Sequence, residues 1–386
     1  YKAQTNVSTS DLIELSTAHC KEMIINTTDD NTASYTVTIT IDVDDKELAN
    51  KILDEVDYKI SKSGNGIEMD LEWPFRSFSN SSGLFGAKTS ITMKNGKKFD
   101  YSGRMKVKMI AEVNIPKKNK LEIEGRHSTL QLGHMSNEVE IDIEHATLNA
   151  NDMKAADIDI AHTTMSIGNV YGETAISLSH SKLNGMKVGS GKIDLSHSRL
   201  ELIETGNASV NLSHSNADIE KGGNMELNSM QHSELEMNTA GEVIANSLQH
   251  STLDIETAAN VMVRNGQHGK IIIGKLTNFE FKSGGFTQVH IGSVSGLVDI
   301  NTQHSNISID ELGSSVTKVD IENQFASVSI GTSNIKNFNL YVNDGKHTTV
   351  RISSGVKKKS DGYYTKGTGN DALEINVNCP HCTVNL

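Results

Sequence analysis

Apolar and polar residues alternate along most of this chain, and a two-residue pair interrupts the alternation at regular intervals. The unit reads apolar-x-apolar-x-His-small-x-apolar-x-apolar. One copy is Ile193, Leu195, His197, Ser198, Leu200 and Leu202; the next is Val210, Leu212, His214, Ser215, Ala217 and Ile219. Period-two alternation marks a strand with one buried face, so a strand is predicted on each side of the pair. The phase of the alternation changes across the pair, as it does at a bend or bulge, which puts the pair at a corner.

The pair recurs every 17 or 18 residues as His127-Ser128, His145-Ala146, His162-Thr163, His180-Ser181, His197-Ser198, His214-Ser215, His232-Ser233, His250-Ser251, His268-Gly269, Phe286-Thr287 and His304-Ser305. Phe325-Ala326, His347-Thr348 and His381-Cys382 follow at longer intervals of 21, 22 and 34. All fourteen second residues are Ser, Thr, Ala, Gly or Cys, as expected where a wall folds sharply inward. A short fixed period means that each copy is one turn of a stacked array, unable to bury its apolar face without neighbours. Asn184-Gly185, Gly206-Asn207 and Gly222-Gly223-Asn224 supply turns between copies.

These features predict an all-β fold: a single-stranded parallel β-helix, or β-solenoid, with 17–18-residue rungs, about 14 of them over residues 116–386. Residues 1–115 lack the period and are read as a small α+β N-terminal cap. In it, Val37, Ile39, Ile41 and Val43 alternate as a strand. Asp45 then caps a helix expected to run to about Tyr58, and Ile67 to Leu71 and Met105 to Met109 form further strands. His19-Cys20 is read as a degenerate first copy of the pair. The segment from Lys357 to Tyr364 fills the last long interval and is read as a loop or hairpin leaving the stack.

Composition narrows the function classes. Only 36% of residues are hydrophobic and 5% aromatic, lean for a compact globule of 386 residues but sufficient for the thin core of a solenoid. A net charge of -12 argues against nucleic acid, whose phosphates require a basic footprint. No stretch approaches the roughly 20 apolar residues of a membrane span. The chain opens at Tyr1 without an initiator Met, which points to a removed upstream segment, an export signal being the candidate.

The strand-helix-strand start (Tyr35 to Leu71), the entry Asn114-Ile115-Pro116-Lys117-Lys118-Asn119-Lys120-Leu121-Glu122-Ile123 and the short rungs together resemble bacterial adhesins with a β-helical head, the head-GIN-like auto-transporter adhesin group of Bacteroidetes. Relatives often carry an aromatic-Gly pair where this chain has His-Ser. The resemblance implies an exported cell-envelope protein at the periplasm or cell surface, and brings no ligand or catalytic residue with it.

Three sets of residues could carry chemistry. The first is the ladder of His127, His145, His162, His180, His197, His214, His232, His250, His268, His304, His347 and His381. A file of imidazoles could chelate a metal, but Phe286 and Phe325 interrupt it, and no Asp, Glu or Cys recurs beside it to complete a tetrahedral site. The reading adopted is a structural stack with no metal and no cofactor, destabilised in acid because neighbouring rings resist protonation together. The second set is an aromatic Ser/Asn-rich loop bearing Trp73, Phe75, Phe78 and Phe85, suited to stacking on sugars, anchoring a protein or lidding the first rung. The third is Lys357, Lys358, Lys359, Tyr363 and Tyr364, a basic and aromatic excursion that could meet an anionic envelope polymer or be a solvated turn.

Cys379-Pro380-His381-Cys382 spells a redox motif, yet it lies in register with the rungs, so its cysteines are read as core, with a local disulfide open. Asp142, Asp157 and Asp159, and likewise Glu234, Glu236 and Asp254, put carboxylates on neighbouring rungs. That leaves a carbohydrate-active β-helix enzyme, lyase or hydrolase, as the alternative to the leading expectation of a non-catalytic adhesin or scaffold that binds glycan or protein.

Overall fold

A computed structural model describes residues 1–83, 86–343, 347–367 and 372–386. The protein is a β-solenoid of about 12 turns with rungs of roughly 18 residues. Leu373–Asn378 and Thr383–Asn385 flank His381 and lie parallel to Lys318–Glu322 and Ser327–Ile330, so His381 marks a turn like the pairs before it, while the strands Lys357–Ser360 and Tyr363–Lys366 interrupt the winding between His347 and His381. The chain falls into two compact units, Tyr1–Met186 and Lys187–Leu386.

In the second unit, the strand Gly191–Ser196 runs into a corner and Arg199–Thr205 runs out of it. The next rung, Ala208–Ser213 and Asn216–Gly222, lies parallel beside them, with Ile193 opposite Val210 and Leu202 opposite Ile219. All the apolar positions of these two copies are buried, so the alternation assigned the inner face correctly.

The corner has a specific backbone. Every first residue of the pair from His127 to Phe325 has φ between 49° and 56°, the left-handed region that side chains rarely adopt. One left-handed residue reverses the phase of the alternation and turns the strand inward. Beneath it, the small residue is more than small. Ser215 Oγ accepts the Ser198 N–H at 3.0 Å and donates to the Ser213 carbonyl at 2.8 Å. The Ser215 N–H donates to Ser233 Oγ, and the Ser233 N–H to Ser251 Oγ. A buried hydroxyl ladder thus satisfies the amides that the corner turns away from the strand ladder.

His214→Val is expected to destabilise the second unit by about 2 kcal/mol. A left-handed L-residue costs roughly 1–2 kcal/mol, and the ring contacts to His197 and His232 are also lost. His214→Gly relieves the backbone and loses only the contacts. Thermal melts should rank wild type, Gly and Val in falling order; a valine as stable as the glycine would exclude backbone strain at the corner.

The first unit opens with a complete corner. Leu12–Ala18 and Glu22–Thr28 flank His19, which has φ 55°, and the Cys20 N–H donates to Ser128 Oγ at 3.1 Å. Leu12–Ala18 is held parallel between Gly66–Glu72 and Lys120–Arg126. Glu22–Thr28 is held between Lys106–Pro116 and Thr129–Leu132.

The helix is shorter than expected, Lys46–Leu53, with Asp45 accepting the Leu48 N–H at its start. It stops because the N–H groups of Glu55 and Val56 bond three residues back, to Ile52 and Leu53. That tighter turn folds Val56 into a small core with Ile52, Phe75, Ile91, Met93 and Met105. The aromatic segment is not the predicted loop. Phe75–Gly83 and Gly86–Met93 pair antiparallel, with Lys98–Tyr101 alongside. Its Ser and Asn residues are exposed along the first of these strands, on both of its faces beyond Phe78. Phe85 lies outside the described residues.

The end of the second unit also departs from simple winding. Tyr363–Lys366 pairs antiparallel with Phe338–Asn343 and with Lys357–Ser360, so the excursion is a hairpin that continues the sheet instead of leaving it. The strand Leu373–Asn378 lies between Lys318–Glu322 and Phe338–Asn343, with Val377 opposite both Ile321 and Val342. The last strands in sequence are therefore not the outermost in space. A disulfide joins Cys379 and Cys382 across the His381 corner, while Cys20 is free and buried.

Candidate functional site

The corner rings lie on the outer surface and stack face to face. In the first unit His19, His127, His145, His162 and His180 follow one another at 4.7–5.0 Å, with interplanar angles of at most 11°. In the second unit, taken by itself, His197, His214, His232, His250 and His268 follow one another at 4.9–5.0 Å. Phe286, His304, Phe325, His381 and finally His347 then follow at 4.8–5.3 Å.

This geometry limits what the ladder can do. Parallel rings hold their nitrogen lone pairs parallel, whereas chelation by neighbours needs them to converge. Among the described residues, no group of three or more His, Cys, Asp or Glu is placed to hold a metal. Each inner ring has both faces covered, so it offers solvent only an edge. A flat ligand can stack only where a column ends.

One such end opens into a groove of about 580 Å³ in the first unit. His19 rests on His127 on one side and borders the groove with the other; Trp73, at 6.3 Å and 62°, is too far and too steep to be stacked on it. Trp73 and Phe78 line the groove and are partly exposed. Phe75 is buried, packing edge-on against Trp73 at 5.0 Å, and supports the site without reaching it. Lys21, Lys106 and Lys108 stand around these rings with Thr40, Asp42 and Asn80. Burial, then the neighbouring His127, holds the His19 imidazole below its ordinary range, against an opposing pull from Glu72. Sequence reading found Trp73 and Phe78 from composition. It missed His19 as their partner and all three lysines, which come from segments far apart in sequence.

The second aromatic set is dispersed. Tyr363 stacks on Tyr341 at 4.9 Å, and its hydroxyl bonds Asn339. Tyr364 points inward and is 6% exposed. Lys357, Lys358 and Lys359 are exposed on a strand that, among the described residues, pairs on the Tyr363–Lys366 side alone, and Lys358 holds Asp361 at 2.8 Å. Lysines on a bordering strand are a recognised guard against edge-to-edge pairing.

The rung carboxylates form two arrays. Asp142 lies opposite Asp159, with Asp157 on the same strand as Asp159. Glu236 lies between Asp218 and Asp254. A recess of about 130 Å³ there is lined by Arg199, Asp218, Glu234 and Glu236. Burial first, then Glu234, Asp218 and Asp254, push the Glu236 carboxyl up from its ordinary range.

No family model matches the chain, and no curated protein matches it. Among solved structures, a "putative cell adhesion protein" from Clostridium sporogenes aligns over 100% of this chain and 97% of its own, at 9% identity and a TM-score of 0.16. A "putative lipid binding protein" from Parabacteroides distasonis aligns over 75% and 96%, at 14% identity and a TM-score of 0.26. Likeness at this level assigns no activity.

Proposed function

We propose that the protein is an exported cell-envelope protein of adhesin or scaffold type that presents its solenoid surface to glycan or protein without catalysis. Its principal contact in this reading is the groove beside His19 and Trp73, with Tyr341, Tyr363 and the lysines of Lys357–Ser360 as a second surface. The observation that carries the reading is the groove itself: an open column end at His19, flanked by the partly exposed aromatics Trp73 and Phe78. Among the described residues no helix is long and apolar enough to cross a membrane.

Glycan-array capture followed by calorimetry on the best ligand tests it. Trp73→Ala and Phe78→Ala are each expected to weaken binding about tenfold, the usual loss for an aromatic anchor. Both side chains touch the small helix–hairpin core, so each variant is first checked for an unchanged melt. A stable Trp73→Ala protein that captures its ligand unaltered removes this groove from the proposal.

Glu236 favours a second reading, a polysaccharide lyase or hydrolase working at the Arg199 recess, because a carboxyl raised by burial beside other carboxylates suits general acid catalysis. Turnover of polyuronides by the protein, abolished in Glu236→Gln, would establish it over the non-catalytic one.

A further inference from the structure

At the groove beside His19 three lysines gather, Lys21, Lys106 and Lys108. Lys51, Lys59, Lys62, Lys94 and Lys117 each hold a carboxylate. Lys21, Lys106 and Lys108 hold none among the described residues. Local folding forces them together. Lys106 and Lys108 alternate along one strand and so share a face, opposite Asp42 and Thr40 of Thr32–Asp42. Lys21 leaves the His19 corner, and its N–H donates to the Met109 carbonyl at 3.0 Å, which ties it beside Lys108.

Three lysines against one carboxylate, Asp42, leave the lining positive on a chain whose net charge is -12. Clustered like charges raise the free energy of the empty site and lower it when an anion arrives. The same groove is walled by Trp73, Phe78 and the free side of His19, surfaces suited to the apolar face of a sugar ring. Its volume falls within the roughly 300–1,000 Å³ of small-ligand sites.

We infer that the groove takes an acidic sugar. The pyranose ring is set against Trp73 and Phe78, and its carboxylate or sulfate lies among Lys21, Lys106 and Lys108. This rests on the groove being the binding site proposed above and specifies its ligand class. Asp42, which lines the same groove, would accept from the hydroxyls of that sugar.

Calorimetry with three probes tests it: an oligogalacturonate, its carboxyl-reduced neutral counterpart, and a sulfated oligosaccharide. The double variant Lys106→Gln/Lys108→Gln changes only exposed side chains, so its fold should persist. The expected result is salt-sensitive binding of an acidic probe, with the neutral probe and the double variant each weaker by about tenfold. The carboxylate and sulfate probes separate the two anion sources. Equal binding of the reduced probe, with the double variant unchanged, overturns the acidic class while the glycan reading stands. Binding of none of the three overturns both.

Discussion

Deleting residues 373–386 is expected to unravel the end of the second unit, not shorten it by one rung. Those residues supply Leu373–Asn378, paired on both sides, and Thr383–Asn385, which lies between Ser327–Ile330 and Thr349–Arg351. Removing an outermost rung would expose one neighbour; removing this one separates two. Leu373, Ile375, Val377, Cys379, Cys382 and Val384 are all buried, and burial of a large apolar side chain is worth about 1.5–3 kcal/mol. Six such losses reach roughly 10 kcal/mol, as much as the whole stability of many domains. Because a stacked array is held by nearest-neighbour interfaces, the loss should stay near the site of deletion. Hydrogen exchange should show deprotection across Lys318–Glu322, Ser327–Ile330, Phe338–Asn343 and Thr349–Arg351, while residues 191–205 keep their slow amides. Full protection of Lys318–Glu322 in the deleted protein would mean that the segment is not inserted there. Ile375→Asp in the full chain is expected to give the same pattern more weakly.

The same arrangement explains which parts of the fold were legible in the sequence. Alternation around each pair revealed the inner face, since burial on one side of a strand leaves a period-two record. The change of phase revealed the corner. Its left-handed backbone could also have been suspected, because His tolerates that region better than most side chains, although Phe286 and Phe325 occupy it too. The hydroxyl ladder left a trace in the preference for Ser and Thr over Ala and Gly, which the sequence reading reduced to small size. Insertion left none: nothing local to Leu12–Ala18 or Leu373–Asn378 says that each is paired on both sides. A strand buried between two partners and a strand at an edge carry the same alternation when one face points inward. The candidate groove was legible only as aromatic content. Its lysines alternate like any exposed strand face, and only the pairing of Lys106–Pro116 with Glu22–Thr28 and Thr32–Asp42 brings them to His19.

Acid should weaken the first unit at His19, and the sign follows from charge. The folded chain holds His19 below its ordinary range. The unfolded chain, near pKa 6.5, therefore takes up that proton first, and the stability His19 contributes above this pH is lost as pH falls through it. Burial of the ring is the first cause and the charge of the stacked His127, 4.7 Å away, the second, so both act against protonating the folded chain. His19→Phe isolates the effect: Phe stands at two corners with the same left-handed backbone, so the fold should persist without the titrating ring. Wild type is expected to melt lower at pH 5 than at pH 7.5, and His19→Phe to recover part of that loss while matching wild type at the higher pH. An identical acid loss in a stable His19→Phe protein would show that this imidazole does not contribute to the acid response.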